Sequence, residues 1–81
     1  MSAVKTVHVF VTPKEGVLDP QGKAIRQSLG LSGYQGIEDA RLGKFIELKV
    51  ANPNKKMLDE ICERLLANTV IEDYRYEIVG P

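Results

Sequence analysis

Strict alternation of apolar and polar positions is the clearest pattern in the chain. From residue 4 to residue 12, Val7, Val9 and Val11 fall on one side of an extended backbone, and Thr6, His8, Phe10 and Thr12 fall on the other. A second alternation sets Ile46, Leu48 and Val50 against Phe45, Glu47 and Lys49, which predicts a strand over 45–50. A third runs from about 70 to 79, with Val70, Tyr74, Tyr76 and Ile78 opposite Asp73, Arg75 and Glu77. Residues 37–42 alternate more weakly, with Ala40 and Leu42 on one side. Gly43-Lys44 then has the length and composition of a two-residue hairpin turn with glycine first.

The period changes from 2 to 3.6 in two places. Residues 20–29 read as a short helix with Ala24, Ile25 and Leu29 inward, Asp19 as its N-cap, Pro20 at its first position and Gly30 as its stop. In residues 55–66, Leu58, Ile61, Cys62 and Leu65 fall at helical spacing, flanked by Met57 and Leu66. Asn52-Pro53-Asn54 ends the strand before it and can cap it, and Asn68 suits a left-handed C-cap. The order β-α-β-β-α-β, with no linker or repeat, predicts one α+β domain over residues 1–81. Its architecture would be a four-stranded antiparallel sheet with two helices on one face, as in ferredoxin-like domains.

Such a fold leaves one sheet face bare, and the sequence puts aromatic rings there. Phe10 lies opposite Val7, Val9 and Val11, and Phe45 lies opposite Ile46, Leu48 and Val50. Burial of that face by another copy of the chain, dimerising through the sheet, is the simplest expectation. Scattered surface aromatics are the plainer alternative.

Composition narrows the partners. The chain has 81 residues, is 43% hydrophobic and 27% charged, and its 11 basic and 11 acidic residues cancel. That balance argues against nucleic acid or an anionic membrane as the main partner. The single cysteine fits a reducing cytosol, and neither a secretory leader nor a spanning run stands out, so a cytoplasmic location is expected.

The chemical inventory is thin. His8 sits mid-strand between valines with no partner at motif spacing, and Cys62 sits on an apolar helical stripe where a buried thiol is the default. No ligand cluster has metal spacing, and the acidic pairs Glu38-Asp39, Asp59-Glu60 and Glu72-Asp73 are sequence neighbours, which point to opposite faces in a strand. Residues 13–25 hold the remaining puzzle. Turn and capping chemistry explains Pro13, Gly16, Asp19 and Pro20, but not Gly22 in the first helical turn or Lys14 and Lys23 around it. A loop feeding a helix N-terminus could hold a phosphate or carboxylate, with Lys14, Lys23 or Lys44 beside it, or could be gripped by another protein.

Three ordered stretches carry a resemblance that covers nearly the whole chain. Pro-Lys-Glu-Gly-Val-Leu-Asp-Pro-Gln-Gly at 13–22 resembles the signature of the PurS family, the small subunit of bacterial phosphoribosylformylglycinamidine synthase. Arg-Leu-Gly-Lys-Phe-Ile-Glu-Leu at 41–48 is similar to that family's central hairpin. Cys-Glu-Arg-Leu-Leu-Ala-Asn-Thr-Val-Ile-Glu-Asp-Tyr at 62–74 is similar to its second helix and last strand.

The resemblance implies a subunit of a glutamine-dependent carbon–nitrogen ligase acting in de novo purine synthesis. The assembled enzyme converts formylglycinamide ribonucleotide, glutamine and ATP into formylglycinamidine ribonucleotide, glutamate, ADP and phosphate. A glutaminase subunit releases ammonia and a large synthetase subunit activates the amide. ATP, Mg and glutamine are then used by those partners, and no cofactor, metal or catalytic residue is expected on this chain. The small subunit forms dimers, with a tetramer as a further step, and helps form the protected ammonia path. Contact residues expected on this reading are Lys14, Asp19, Gln21, Gly22, Arg41, Gly43 and Lys44, with Phe10 and Phe45 on the self-association face. The competing reading is a ferredoxin-like regulatory module that binds a small metabolite.

Overall fold

The computed structural model describes residues 3–81. Its elements are β1 (Val4–Pro13), α1 (Pro20–Leu31), β2 (Lys44–Ala51), α2 (Lys55–Ile61) and β3 (Glu72–Gly80), with a π-helical turn over Cys62–Leu66 continuing α2. The three strands form one sheet in the order β2-β1-β3, and both outer strands run antiparallel to β1. β2 and β3 are therefore parallel to each other and joined by α2, a β-α-β unit split by β1. Among the described residues no helix is long and apolar enough to cross a membrane.

The alternation of β1 decides the core. Val7, Val9 and Val11 are fully buried and meet Leu58 and Cys62 of α2, with Ala67 closing the cluster. Pairing places Leu48 and Ile78 beside Val7, Ile46 and Tyr76 beside Val9, and Tyr74 beside Val11, so the apolar positions of all three strands share the α2 side as expected. Asn54 caps α2 by accepting from the Met57 N–H at 2.9 Å. Asn52 takes the left-handed φ of 52° and clasps Ala3 with both its backbone N–H and its side-chain oxygen, which ends β2.

Among the described residues the expected fourth strand is absent: the sheet has three strands, and residues 37–42 form no ladder. The donors of that segment go elsewhere, Leu42 N–H to the Asp19 carboxylate and Ala40 N–H to that of Asp39. Gly43-Lys44 is consequently no hairpin turn, because Lys44 already pairs with Val11 in the β1–β2 ladder. The order is β-α-β-α-β rather than the ferredoxin-like one, and only α2 covers the sheet.

α1 does not lie on the sheet. Residues 14–43 leave the end of β1 as an arm, out along α1 and back along an extended return segment. Ala24 and Ile25 are thus exposed and Leu29 only half-buried, where a sheet-packed helix would bury all three. α1 also runs past Gly30 and stops at Gly33, whose φ is 92°. There Tyr34 N–H bonds the Leu29 carbonyl and Gly33 N–H that of Gly30, a Schellman stop. The arm gives a radius of gyration of 16.2 Å, against roughly 12 Å for a compact chain of this length.

The end of α2 departs from the sequence reading in a specific way. Ala67 N–H reaches back five residues to the Cys62 carbonyl at 2.8 Å, so the last turn is wider than an α turn. The extra residue rotates Leu65 out, leaving it 81% exposed, and brings Leu66 toward the core instead. Asn68 has no left-handed φ; it forms an Asx turn, its side-chain oxygen accepting from Val70 N–H. β3 starts at Glu72, and Val70 lies in the turn before it, exposed rather than on the strand's apolar side.

Candidate functional site

The residues singled out in the sequence fall into two groups joined by a hinge. Lys14, Asp19, Gln21, Gly22 and Arg41 gather at the root of the arm. Phe10 and Phe45 pair directly across β1 and β2 on the open side of the sheet. Gly43 and Lys44 lie between them, where the arm returns.

Asp19 organises the root. One carboxylate oxygen accepts from Gly22 N–H at 2.9 Å and the other from Leu42 N–H at 2.9 Å, so a single side chain caps α1 and ties down the return segment. These two bonds, with Arg41 nearby, hold the Asp19 carboxyl below its ordinary value of 3.8. The position an external anion would take at this helix start is filled by the chain's own carboxylate. A folded-state value below the unfolded one means that Asp19 supports the arm above the ordinary carboxylate range. That support is lost as pH falls through the lowered value. Amide NMR should show the Gly22 and Leu42 N–H signals moving together in acid with a midpoint below 3.8; titration at or above that value would contradict the clasp.

Gly22, unexplained by local rules, is explained by close approach. It is the buried residue of α1. A Cβ there would overlap the Ala40 carbonyl oxygen and lie 2.9 Å from Arg41 Cα. Arg26 adds a bond from Nε to the Ile37 carbonyl at 3.2 Å further along the same contact. Gly43 has the same logic, since a Cβ there would overlap the Val11 carbonyl and sit 3.2 Å from Thr12 Cγ2. Both glycines are thus used inside the chain, to let backbone meet backbone.

The lysines also have partners within the chain. Lys14 N–H bonds the Ile71 carbonyl at 2.9 Å, and its Nζ lies 3.6 Å from Asp73, which fastens the outgoing root to the start of β3. Lys44 donates from Nζ to the Leu66 carbonyl at 3.2 Å and stands 3.9 Å from Glu72, capping the π turn. Gln21 and Arg41 are exposed at the arm's root.

The open side holds more than two phenylalanines. The His8 ring meets Phe45 edge-on at 5.0 Å, Phe45 meets Phe10 at 5.3 Å, and the Arg75 guanidinium lies 3.9 Å from the Phe10 centroid. Glu47 bonds His8 at 3.1 Å and Glu77 bonds Arg75 at 2.9 Å. Sequence reasoning identified the face but not this cluster, because it needs the strand register, which pairs Phe10 with both Phe45 and Arg75. The other unforeseen group is Asp59, which accepts from Lys55 at 2.6 Å and from the Tyr74 hydroxyl at 3.2 Å, while Glu63 accepts from the same hydroxyl at 3.0 Å. Burial and these carboxylates push Tyr74 above its usual range, and Lys55 pulls Asp59 below its own. Burial raises the Cys62 thiol, which keeps it protonated and inert at neutral pH.

The overall fold is shared with known proteins. Residues 6–80 match the PurS family model, described as phosphoribosylformylglycinamidine (FGAM) synthase. The PurS subunit of that synthase from Bacillus subtilis (strain 168) is 48% identical over 75 residues, covering 89% of each chain. A crystal structure of B. subtilis PurS superposes with a TM-score of 0.81 at 47% identity, over 91% of this chain and 96% of that one. A chain in the structure of PurLQS from Thermotoga maritima does so with a TM-score of 0.81 at 31% identity, over 94% and 98%. With this family match spanning both the sheet and the arm, the chain belongs to the PurS family of phosphoribosylformylglycinamidine synthase subunits.

Proposed function

We propose that the chain acts in purine biosynthesis as the non-catalytic small subunit of phosphoribosylformylglycinamidine synthase. It would bridge a glutaminase subunit and a large synthetase subunit in the cytoplasm and support ammonia transfer between them. ATP, Mg and glutamine are used on those partners. The chain itself works as a homodimer whose protomers meet through the open side of the sheet, with pairing of dimers as a further step.

The observation that carries this reading is the arm. Its side chains at Leu18, Ile25, Leu31, Tyr34 and Leu42 are exposed, and a helix of this kind gains its stability from surfaces outside its own chain. Because Lys14, Gly22, Gly43 and Lys44 serve the fold, Gln21 and Arg41 are the root residues best placed for contact with the larger subunits. The likeness in overall shape both to a PurS crystal structure and to a chain in the structure of PurLQS supports reading the chain as a subunit of such an assembly.

Size exclusion with light scattering tests it. A mixture of the chain with the glutaminase and synthetase of the same pathway is expected to give one species containing all three. Synthetase and glutaminase that co-elute equally well without this chain would contradict the bridging role.

A further inference from the structure

We propose that the end of α2 has two registers and that Lys44 decides between them. With the Lys44 ammonium on the Leu66 carbonyl, the last turn is wide and Leu66 faces the core. With that donor withdrawn, the turn closes to an α turn and Leu65 takes the place of Leu66. The device belongs to the single chain and stands or falls apart from the bridging and homodimer readings.

Two leucines compete for one position. Leu65 follows Leu58 by seven residues and Cys62 by three, the spacing of one face of an α-helix. An α-helix continued past Cys62 would therefore bury Leu65. The chain instead fits one more residue into the turn, and Ala67 N–H bonds the Cys62 carbonyl at 2.8 Å. Each residue turns an α-helix by about 100°. The extra one hands the core-facing place to Leu66, which packs half-buried against the valines, Leu58 and Cys62, and leaves Leu65 81% exposed. Because both candidates are leucine, the exchange keeps the volume and chemistry of the core, and cores tolerate volume-conserving swaps best. A packed interior of this kind moves between discrete arrangements and does not deform continuously.

The flanks confine the change to the last turn. Upstream, Asn54 caps α2, and the Tyr74 hydroxyl bonds Asp59 at 3.2 Å and Glu63 at 3.0 Å. Downstream, Asn68 N–H bonds the Glu72 carboxylate at 2.8 Å, and Glu72 N–H returns a bond to the Asn68 carbonyl at 2.7 Å. Residues 64–67 lie between these two fixed points.

Lys44 supplies the bias. The last carbonyls of a helix have no partner within it, and a lysine can bond them. Lys44 Nζ reaches the Leu66 carbonyl at 3.2 Å and stands 3.9 Å from Glu72. Turning Leu66 outward would carry its carbonyl away from the ammonium, so this bond favours the wide register alone. Gly43, pressed against the Val11 carbonyl, fixes where Lys44 leaves the arm's return segment. The Lys44 side chain is also exposed enough to be reached from outside. A carboxylate brought to it by a bound protein forms a stronger, charge-assisted bond than a neutral carbonyl does, and would release the turn. The surface that α2 presents then changes from Leu65 to Leu66. Wide turns inside α-helices are frequent at functional sites.

Urea denaturation of the full-length chain reads the register through the two leucines. In wild type, Leu66→Ala is expected to lower the midpoint by roughly 1 M and Leu65→Ala to leave it nearly unchanged. In a Lys44→Met background, which keeps the aliphatic stem and removes the donor, the two effects should exchange. Lys44→Arg, which keeps a donor, should preserve the wild-type order. Methyl NMR gives the same reading without truncation: the leucine methyl contacts to the core valines should come from Leu66 in wild type and from Leu65 in Lys44→Met. Leu66 carrying the loss in both backgrounds, or methyl contacts that are the same in both, would overturn the proposal.

Discussion

Replacing Gly22 with alanine is expected to collapse the arm and abolish entry into the synthase while the sheet stays folded. The added methyl would overlap the Ala40 carbonyl oxygen, a backbone atom, and lies 2.5 Å from Asp19 Oδ2. Helix propensity alone favours alanine over glycine by under about 1 kcal/mol, so a design rule based on propensity would predict stabilisation. Overpacking against backbone costs about 1–3 kcal/mol, and the clash wins. Relief requires the return segment to move away from α1, which breaks both bonds of the Asp19 clasp. α1 contributes nothing to the buried core of valines, Leu58 and Cys62, so the loss stays local. Far-UV circular dichroism should lose about half its helical signal, since α1 holds 12 residues and α2 with its π turn holds 7 and 5. Pull-down with the larger subunits should fail in the same sample. Retained helicity with normal assembly would show that Gly22 does not set the arm.

This glycine also marks how far the sequence could be read. Three strands and the side each presents were legible because alternation in β1, β2 and β3 reports burial directly, and the N-caps Asp19 and Asn54 follow from local hydrogen bonding. The arm was not legible. Residues 37–42 alternate well enough for a strand, but their donors are taken by the side chains of Asp19 and Asp39, a contact across 23 positions in the case of Leu42. α1 has a stripe fit for a sheet, yet that stripe stays exposed on the arm, and periodicity does not say where a helix will lie. The candidate site was half legible for the same reason. Asp19 and the two phenylalanines stand where the pattern put them. Lys14 and Lys44 looked free because their partners Asp73 and Leu66 are distant in sequence.

The second large effect is in the core. Leu58→Ala is expected to destabilise the chain by about 2–5 kcal/mol, the range for a leucine truncation that leaves a cavity. Among the described residues Leu58 is the largest fully buried side chain, seated against Val7, Val9, Val11 and Cys62. A chain of this size has roughly 4–12 kcal/mol in total, so the variant approaches half-unfolding at growth temperature. Unlike the glycine change, this one should lower the urea midpoint of sheet and helix together, without altering the slope. Leu65→Ala, about two turns later in the same sequence stripe, should leave the midpoint nearly unchanged because the π turn has rotated that side chain into solvent. Equal losses for the two would mean that the turn is an ordinary α turn in solution.

If this chain supplies assembly and not chemistry, its removal should affect only the nitrogen that comes from glutamine. Formylglycinamidine ribonucleotide formation is followed with the synthetase and glutaminase subunits, with and without this chain, using either glutamine or free ammonia as nitrogen donor. Leaving the chain out is expected to lower the glutamine-dependent rate by an order of magnitude or more, while the ammonia-dependent rate of the synthetase changes little. A glutamine-dependent rate that is the same with and without the chain would contradict the assembly role.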